Sequence, residues 1–275
     1  MKHSFSLILT GALSLVLCSL PSCSKFFDYL DQHRDDVATH CQIQMLAVQI
    51  QSSNTNAPVQ HYAFTYNAAG KPLSIIAQDP NVPFYSGNHF GYDRYGRLKD
   101  FQITDANFTF TYVWHRYTYP APNTVIDTTY TYAGHVGDAN PPPGTTVNDV
   151  TKITLDWKGR PVKYTQLSNN GSGPLSSSEV QYDANGNLVS PGTIYDDKIN
   201  IYQTNPVWQF VFGNYSRNNP YIPARNGFPP SIPSYDQYGL PLVLQYWADP
   251  PVAQLFGIPY SIMHVTYACD PGTWR

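Results

Sequence analysis

Tyr92-Asp93-Arg94-Tyr95-Gly96-Arg97-Leu98 and Tyr182-Asp183-Ala184-Asn185-Gly186-Asn187-Leu188 share one spacing, and that spacing decides the fold. A large residue is followed by Asp, two free positions and Gly. The order returns at Tyr66-Asn67-Ala68-Ala69-Gly70-Lys71-Pro72, at Leu155-Asp156-Trp157-Lys158-Gly159-Arg160-Pro161 and at Tyr235-Asp236-Gln237-Tyr238-Gly239-Leu240-Pro241. Chance would supply it roughly once in a chain of this composition. Asn67, Asp93, Asp156, Asp183 and Asp236 can each accept a hydrogen bond from the backbone N–H two residues on. Gly70, Gly96, Gly159, Gly186 and Gly239 can each take the left-handed backbone that ends a type I turn with a bulge. The unit is a chain reversal.

The flanks read as strands. Tyr62, Phe64 and Tyr66 alternate with His61, Ala63 and Thr65, and Phe108, Phe110, Tyr112 and Trp114 alternate with Thr109, Thr111 and Val113. Alternation running into an Asx-to-Gly turn predicts a β-hairpin. The five glycines stand 26, 63, 27 and 53 residues apart, which suggests a unit near 26 with two degenerate copies. Gly213 and the Tyr130–Gly134 stretch fall where those copies would be. The fold class expected is all-β: an antiparallel meander of repeated hairpins making one twisted sheet, curled or partly closed. Helix is expected only in short pieces, at 24–38, 206–212 and 251–256. Irregular loops are expected at 138–148, 168–178 and 218–234, from their Pro, Gly, Asn and Ser content.

The Tyr-Asp-x-x-Gly unit, clearest at 92–98 and 182–188, resembles the YD repeat of Rhs and teneurin-type proteins. Those proteins wind many such hairpins into a spiralling sheet around a cargo. Five copies are too few for that, two of them carry Pro where Leu would follow the turn, and the period is longer. The likeness implies a hairpin meander. The chain also resembles Bacteroidetes-type envelope lipoproteins of unknown function that carry degenerate copies of this repeat. Tyr195-Asp196-Asp197-Lys198 and Ser216-Arg217-Asn218-Asn219-Pro220 are similar to their late-domain signature. That resemblance brings an architecture and no established activity.

The N-terminus gives an address. Lys2 precedes an uncharged apolar stretch from Phe5 to Leu20, which ends in Leu20-Pro21-Ser22-Cys23. Length and order fit a secretory signal peptide. The last four residues resemble a bacterial lipobox, which implies diacylglycerol on Cys23 and cleavage after Ser22. The competing site, Cys18, follows the bulky Leu17. The organisation expected is a lipoprotein signal peptide over 1–22, a lipid anchor and short linker over 23–40, and the repeat domain over 41–275. Several acyl chains, at about 0.8 kcal/mol per buried methylene, would tie the chain durably to a membrane. Ser24 after the modified cysteine favours the outer membrane, by resemblance to the sorting rule of enteric bacteria. An ordinary signal peptide, leaving Cys23 a plain thiol, is the alternative.

Composition agrees with strands joined by turns. Charged residues make up 13% and aromatics 15%, with 22 Tyr, 24 Pro and 18 Gly. Glu179 is the sole glutamate, so the chain avoids a good helix former. A net charge of −3 without a basic stripe gives no footprint for nucleic acid. Cys41 and Cys269 flank the domain, and in an oxidising compartment a disulfide is the natural reading. Two buried free thiols are the alternative.

Catalytic motifs are missing from the sequence, and the mature histidines lack metal-ligand spacing, so neither enzyme activity nor a cofactor or metal is expected. Adjacent Asp35-Asp36 and Asp196-Asp197 keep a glycosidase-like hydrolase as an alternative. The aromatic content keeps a glycan-binding accessory lipoprotein as another, although rings on alternating strand positions more often pack across strands. The partners expected are the membrane, through the N-terminal lipid, and either a glycan or another envelope protein. For a ligand site the first candidates are Trp208, Tyr215, Arg217, Asn218 and Asn219, which set a ring, a cation and amides beside an irregular loop.

Overall fold

The computed structural model describes residues 41–52, 55–79, 87–105, 107–136, 138–169, 173–221, 233–247 and 260–269. Cys23 and the helices expected at 24–38 and 251–256 lie outside them. Ten strands come first in chain order: β1 (Cys41–Ser52), β2 (Thr55–Tyr66), β3 (Pro72–Ala77), β4 (Gly87–Tyr92), β5 (Leu98–Thr104), β6 (Thr111–Ala121), β7 (Thr124–Thr131), β8 (Val147–Leu155), β9 (Pro161–Leu167) and β10 (Pro174–Glu179). The chain then leaves the sheet for β11 (Ile194–Ile199), a 3₁₀ turn (Ile201–Thr204), α1 (Pro206–Phe212) and β12 (Asn218–Tyr221). It returns as β13 (Ser234–Tyr235), β14 (Pro241–Trp247) and β15 (Tyr260–Cys269). The fold is all-β, as the turn spacing requires.

The main sheet has 13 strands in the order β10-β9-β8-β7-β6-β5-β4-β3-β2-β1-β15-β14-β13. The first strand thus lies between the second and the last. Cys41 stands opposite Cys269 in that ladder, and a disulfide joins them across 228 residues of sequence. In an antiparallel meander successive reversals alternate between the two ends of the sheet. The reversals β2–β3, β4–β5, β8–β9 and β13–β14 therefore share one end with Cys41 and Cys269, and these reversals are Asx-to-Gly turns. We refer to this as the tight-turn end.

Curling follows from those turns. A register shift sits beside the first residue of four copies, at Thr65/Tyr66, Gly91/Tyr92, Thr154/Leu155 and Ser234/Tyr235. Bulges of this kind bend a strand and increase its twist. The sheet does not close into a barrel: its edges are β10 and β13. The β11–β12 ribbon stands between them as a wedge. On one flank it meets the 183–188 turn that follows β10, where Asn218 exchanges hydrogen bonds with Asn187 and Tyr195 donates its hydroxyl to Leu188 O. On the other, Tyr235 donates to Asp196, and Ile199 packs against Leu240 and Cys41.

The inner face is filled by the 3₁₀ turn and α1. Asn205 caps α1 through the Val207 N–H, Pro206 opens it, and Gly213 ends it at φ 63°. A helix of seven residues has little stability of its own. Packing holds it: Trp208 meets Phe64 and Phe90 edge-on at 5.5 and 5.4 Å and stacks on Phe212, while Phe210 meets Tyr117 at 5.0 Å. Each large apolar side chain buried there stabilises by about 1.5–3 kcal/mol. Beside them lies a small apolar pocket of about 30 Å³ lined by Ile43, Leu46, Phe64, Trp208, Phe212 and Met263.

Several local expectations are corrected. Gly213 is a helix cap and not a hairpin turn. Tyr130–Gly134 is not a copy either; the missing reversal lies at Ala121–Thr124, where Pro122-Asn123 makes a two-residue turn without Gly, and Asn123 O accepts from Leu155 N–H. The strand expected from Phe108 starts only at Thr111, because Asp105 accepts the N–H groups of Thr109 and Phe110 and turns the chain with Phe108 at φ 56°. The loops expected at 168–178 and 218–234 each lose part of their length to strand, β10 and β12.

Candidate functional site

All five turns are built alike. In each, the Asx Oδ1 accepts two backbone N–H groups, two and four residues on: from Ala69 and Lys71, Tyr95 and Arg97, Lys158 and Arg160, Asn185 and Asn187, and Tyr238 and Leu240. The glycine N–H returns to the Asx carbonyl in every copy, and all five glycines have φ between 73° and 85°. Burial opposes ionisation of Asp93. The hydrogen bonds from Arg97 and Tyr95 outweigh it and hold that carboxyl below the usual range.

A second pattern couples turn to turn. The carbonyl two residues past each glycine accepts a tyrosine hydroxyl: Pro72 from Tyr92, Leu98 from Tyr119, Pro161 from Tyr182, Leu188 from Tyr195 and Pro241 from Tyr267. Tyr66 reaches Ile43 O in the same manner. The residue right after the glycine often lays a cation on the same ring, Lys71 over Tyr92, Arg97 over Tyr119 and Arg160 over Tyr182. Burial pushes the Tyr164 phenol up to about 12, and burial with the nearby Asp79 charge does the same for Tyr62. Tyr66, Tyr92, Tyr119 and Tyr182 rise further, mainly through burial. Sequence reasoning found the turns and missed these clamps. The tyrosine opening copies 66, 92 and 182 was their signal.

The ligand candidates separate. Trp208 and Tyr215 are buried, their rings inside the core. Asn218 and Asn219 tie the wedge together. Asn218 exchanges hydrogen bonds with the Asn187 side chain and donates to Lys198 O, and Asn219 donates to Ile199 O. Arg217 is exposed, and its carbonyl accepts from Asn200 N–H. The stretches 195–198 and 216–220 meet through the paired strands β11 and β12.

Two surfaces remain. On the inner face, His115 lies between the rings of Phe101 and Tyr117, with Nδ1 3.0 Å from Asp127 and 3.2 Å from Thr129. Asp149, on the next strand, accepts from Thr151 and Gln166. Both carboxylates are therefore engaged by neighbours. At the tight-turn end the turn tips expose Trp157 at 83%, Tyr95 at 59% and Tyr238 at 42%. Arg94 lies 4.7 Å over the Tyr95 ring, and Lys158 5.0 Å over that of Trp157. Leu73, Val189 and Leu242, each three residues past a turn glycine, add exposed apolar surface beside the tips. No group of three or more His, Cys, Asp or Glu able to hold a metal ion occurs among the described residues.

No family model matches the chain, and no curated protein matches it. Among solved structures, a porin-like protein from Bacteroides uniformis is similar, with 10% sequence identity and a TM-score of 0.43. The similarity covers 85% of this chain and 98% of that one.

Proposed function

We propose that this chain is an exported, lipid-anchored protein of the bacterial cell envelope, placed at the outer membrane and acting as a non-enzymatic binding or scaffold module. The filled interior of the sheet carries this reading. Trp208, Phe210 and Phe212 occupy the space where a curled sheet of this kind would otherwise take a ligand. Export is supported by the Cys41–Cys269 disulfide, which belongs to an oxidising compartment. The lipobox-like Leu20-Pro21-Ser22-Cys23 supports the anchor. The test is detergent-phase partition of the full chain. The unchanged chain should enter the detergent phase and Cys23→Ala should stay in the aqueous phase; equal partition of the two would remove the anchor.

Glycan binding is the second reading, and the exposed rings of Tyr95, Trp157 and Tyr238 favour it. A glycan array probed with the full chain separates the two. Binding lost on Trp157→Ser would favour glycans, whereas a blank array with envelope proteins retained would favour the scaffold.

A further inference from the structure

The tight-turn end brings together exposed rings, cations and aliphatic side chains. Its exposed rings sit on separate turns spread along one end of the sheet. Trp157 lies at the β8–β9 turn, Tyr95 at β4–β5 and Tyr238 at β13–β14. Strands about 4.8 Å apart put the first two roughly 19 Å from each other across four strand spacings. Rings at that separation do not form one stacking platform for a small sugar. They form a broad belt. Arg94 and Lys158 lie over two of its rings, and Leu73, Val189 and Leu242 flank it. The carboxylates of the same turns are engaged locally: Asp93, Asp156, Asp183 and Asp236 each accept two backbone N–H groups of their own turn, Asp183 while exposed. The exposed tips carry rings, cations and aliphatic side chains beside the short or amide side chains of Ala68, Ala69, Ala184, Asn185 and Gln237, and the nearby exposed Asp197 is paired with Lys198. This is the composition that settles at a membrane–water interface, where Trp and Tyr occupy the headgroup level and cations meet anionic lipid.

The chain's own connectivity chooses the partner. β1 begins at Cys41 in this same end of the sheet, opposite Cys269. Cys23 lies only 18 residues earlier, a reach of at most about 60 Å for a fully extended chain. A lipid on Cys23 thus pulls on the sheet at the very end that carries the belt.

We infer that the tight-turn end is a membrane-facing edge, with Trp157, Tyr95 and Tyr238 in the headgroup layer and Arg94 and Lys158 on its anionic lipids. This orientation rests on the anchor at Cys23. It leaves the opposite end of the sheet, with Tyr132 exposed on the β7–β8 connection, pointing away from the membrane.

The test uses the full chain, purified from bacterial membranes and reconstituted into vesicles of phosphatidylethanolamine and phosphatidylglycerol. A fraction of the lipids carries bromine in the upper acyl chain as a fluorescence quencher. The Trp157 signal is the difference between the unchanged chain and Trp157→Phe. A reporter at the far end comes from Tyr132→Trp placed in the Trp157→Phe chain. We expect bromine to quench the Trp157 signal at least twofold more than the Tyr132→Trp signal, and removal of phosphatidylglycerol to weaken the effect. Co-flotation with vesicles reads the anchor independently. A chain that floats with both reporters quenched equally, or neither, defeats the orientation and leaves the anchor intact. A chain that does not float defeats the anchor, and this orientation with it. Both substituted positions are exposed, so the fold is not at stake.

Discussion

The two ends of the sheet are built on different rules. At the tight-turn end one turn geometry recurs five times, each copy linked to a neighbouring strand by a tyrosine hydroxyl, and a disulfide binds the first strand to the last. At the opposite end the two connections that the described residues cover, β5–β6 and β7–β8, follow neither this turn geometry nor each other. There Phe108 and Tyr132, neither of them glycine, hold φ of 56° and 53°, Asp105 accepts the N–H groups four and five residues on, and Asp138 and the Pro142 carbonyl each hold part of the β7–β8 connection. Regular hydrogen-bonded turns set strand register and curvature at one end, which frees the other to vary in length and sequence. Stability should therefore be concentrated at the tight-turn end.

The largest effect should come from the clasp. Replacing Cys41 and Cys269 by Ala releases a loop of 228 residues, and the chain-entropy model puts the loss near 5 kcal/mol. Denaturant melts with and without reductant should coincide for the double variant and differ widely for the unchanged chain. Next comes one turn. Asp93→Ala leaves the N–H groups of Tyr95 and Arg97 and the Arg97 guanidinium without their carboxylate, and should cost about 2–3 kcal/mol. A loss under 0.5 kcal/mol by urea titration would break the contrast between the ends. A smaller step sharpens it: Tyr92→Phe removes the hydroxyl on Pro72 O and should cost about 1 kcal/mol, while Tyr132→Phe at the far end should stay within about 0.5 kcal/mol.

The gentlest test changes no residue. A phenol near pKa 10 when unfolded and about 12 when folded adds stability that is complete below pH 10 and is lost as pH rises through 12. Tyr62 and Tyr164 set that window, and Tyr66, Tyr92, Tyr119 and Tyr182 extend it upward. Absorbance at the tyrosinate band should thus lag in the native protein and jump on unfolding. Asp93 works in the opposite sense: its lowered carboxyl adds stability above its unfolded pKa near 4, lost as pH falls through the folded value.

The turns were legible because their chemistry is local. Asx and Gly three residues apart specify the reversal wherever they stand, and strand alternation then follows. The clasp was legible from its two flanking cysteines. The substituted reversal at Ala121–Thr124 was not, because a Pro-Asn turn needs neither of the marked residues. Nor was the filling of the sheet. Trp208 and Tyr215 sit among amides and beside Arg217, a neighbourhood that in sequence resembles a wet surface. The burial of Trp208 is decided by Phe64 and Phe90, more than 100 residues earlier in the chain. The amides of Asn218 and Asn219 are likewise spent on Asn187, Lys198 and Ile199.

The seat of β1 between β2 and β15 also fixes a timetable. Half of its ladder stays open until Tyr260–Cys269 becomes available, and those residues are the last of the sheet to leave the ribosome. A partly made chain can pair β1 with β2 but cannot finish the sheet. The native ladder becomes accessible only once β15 has been made.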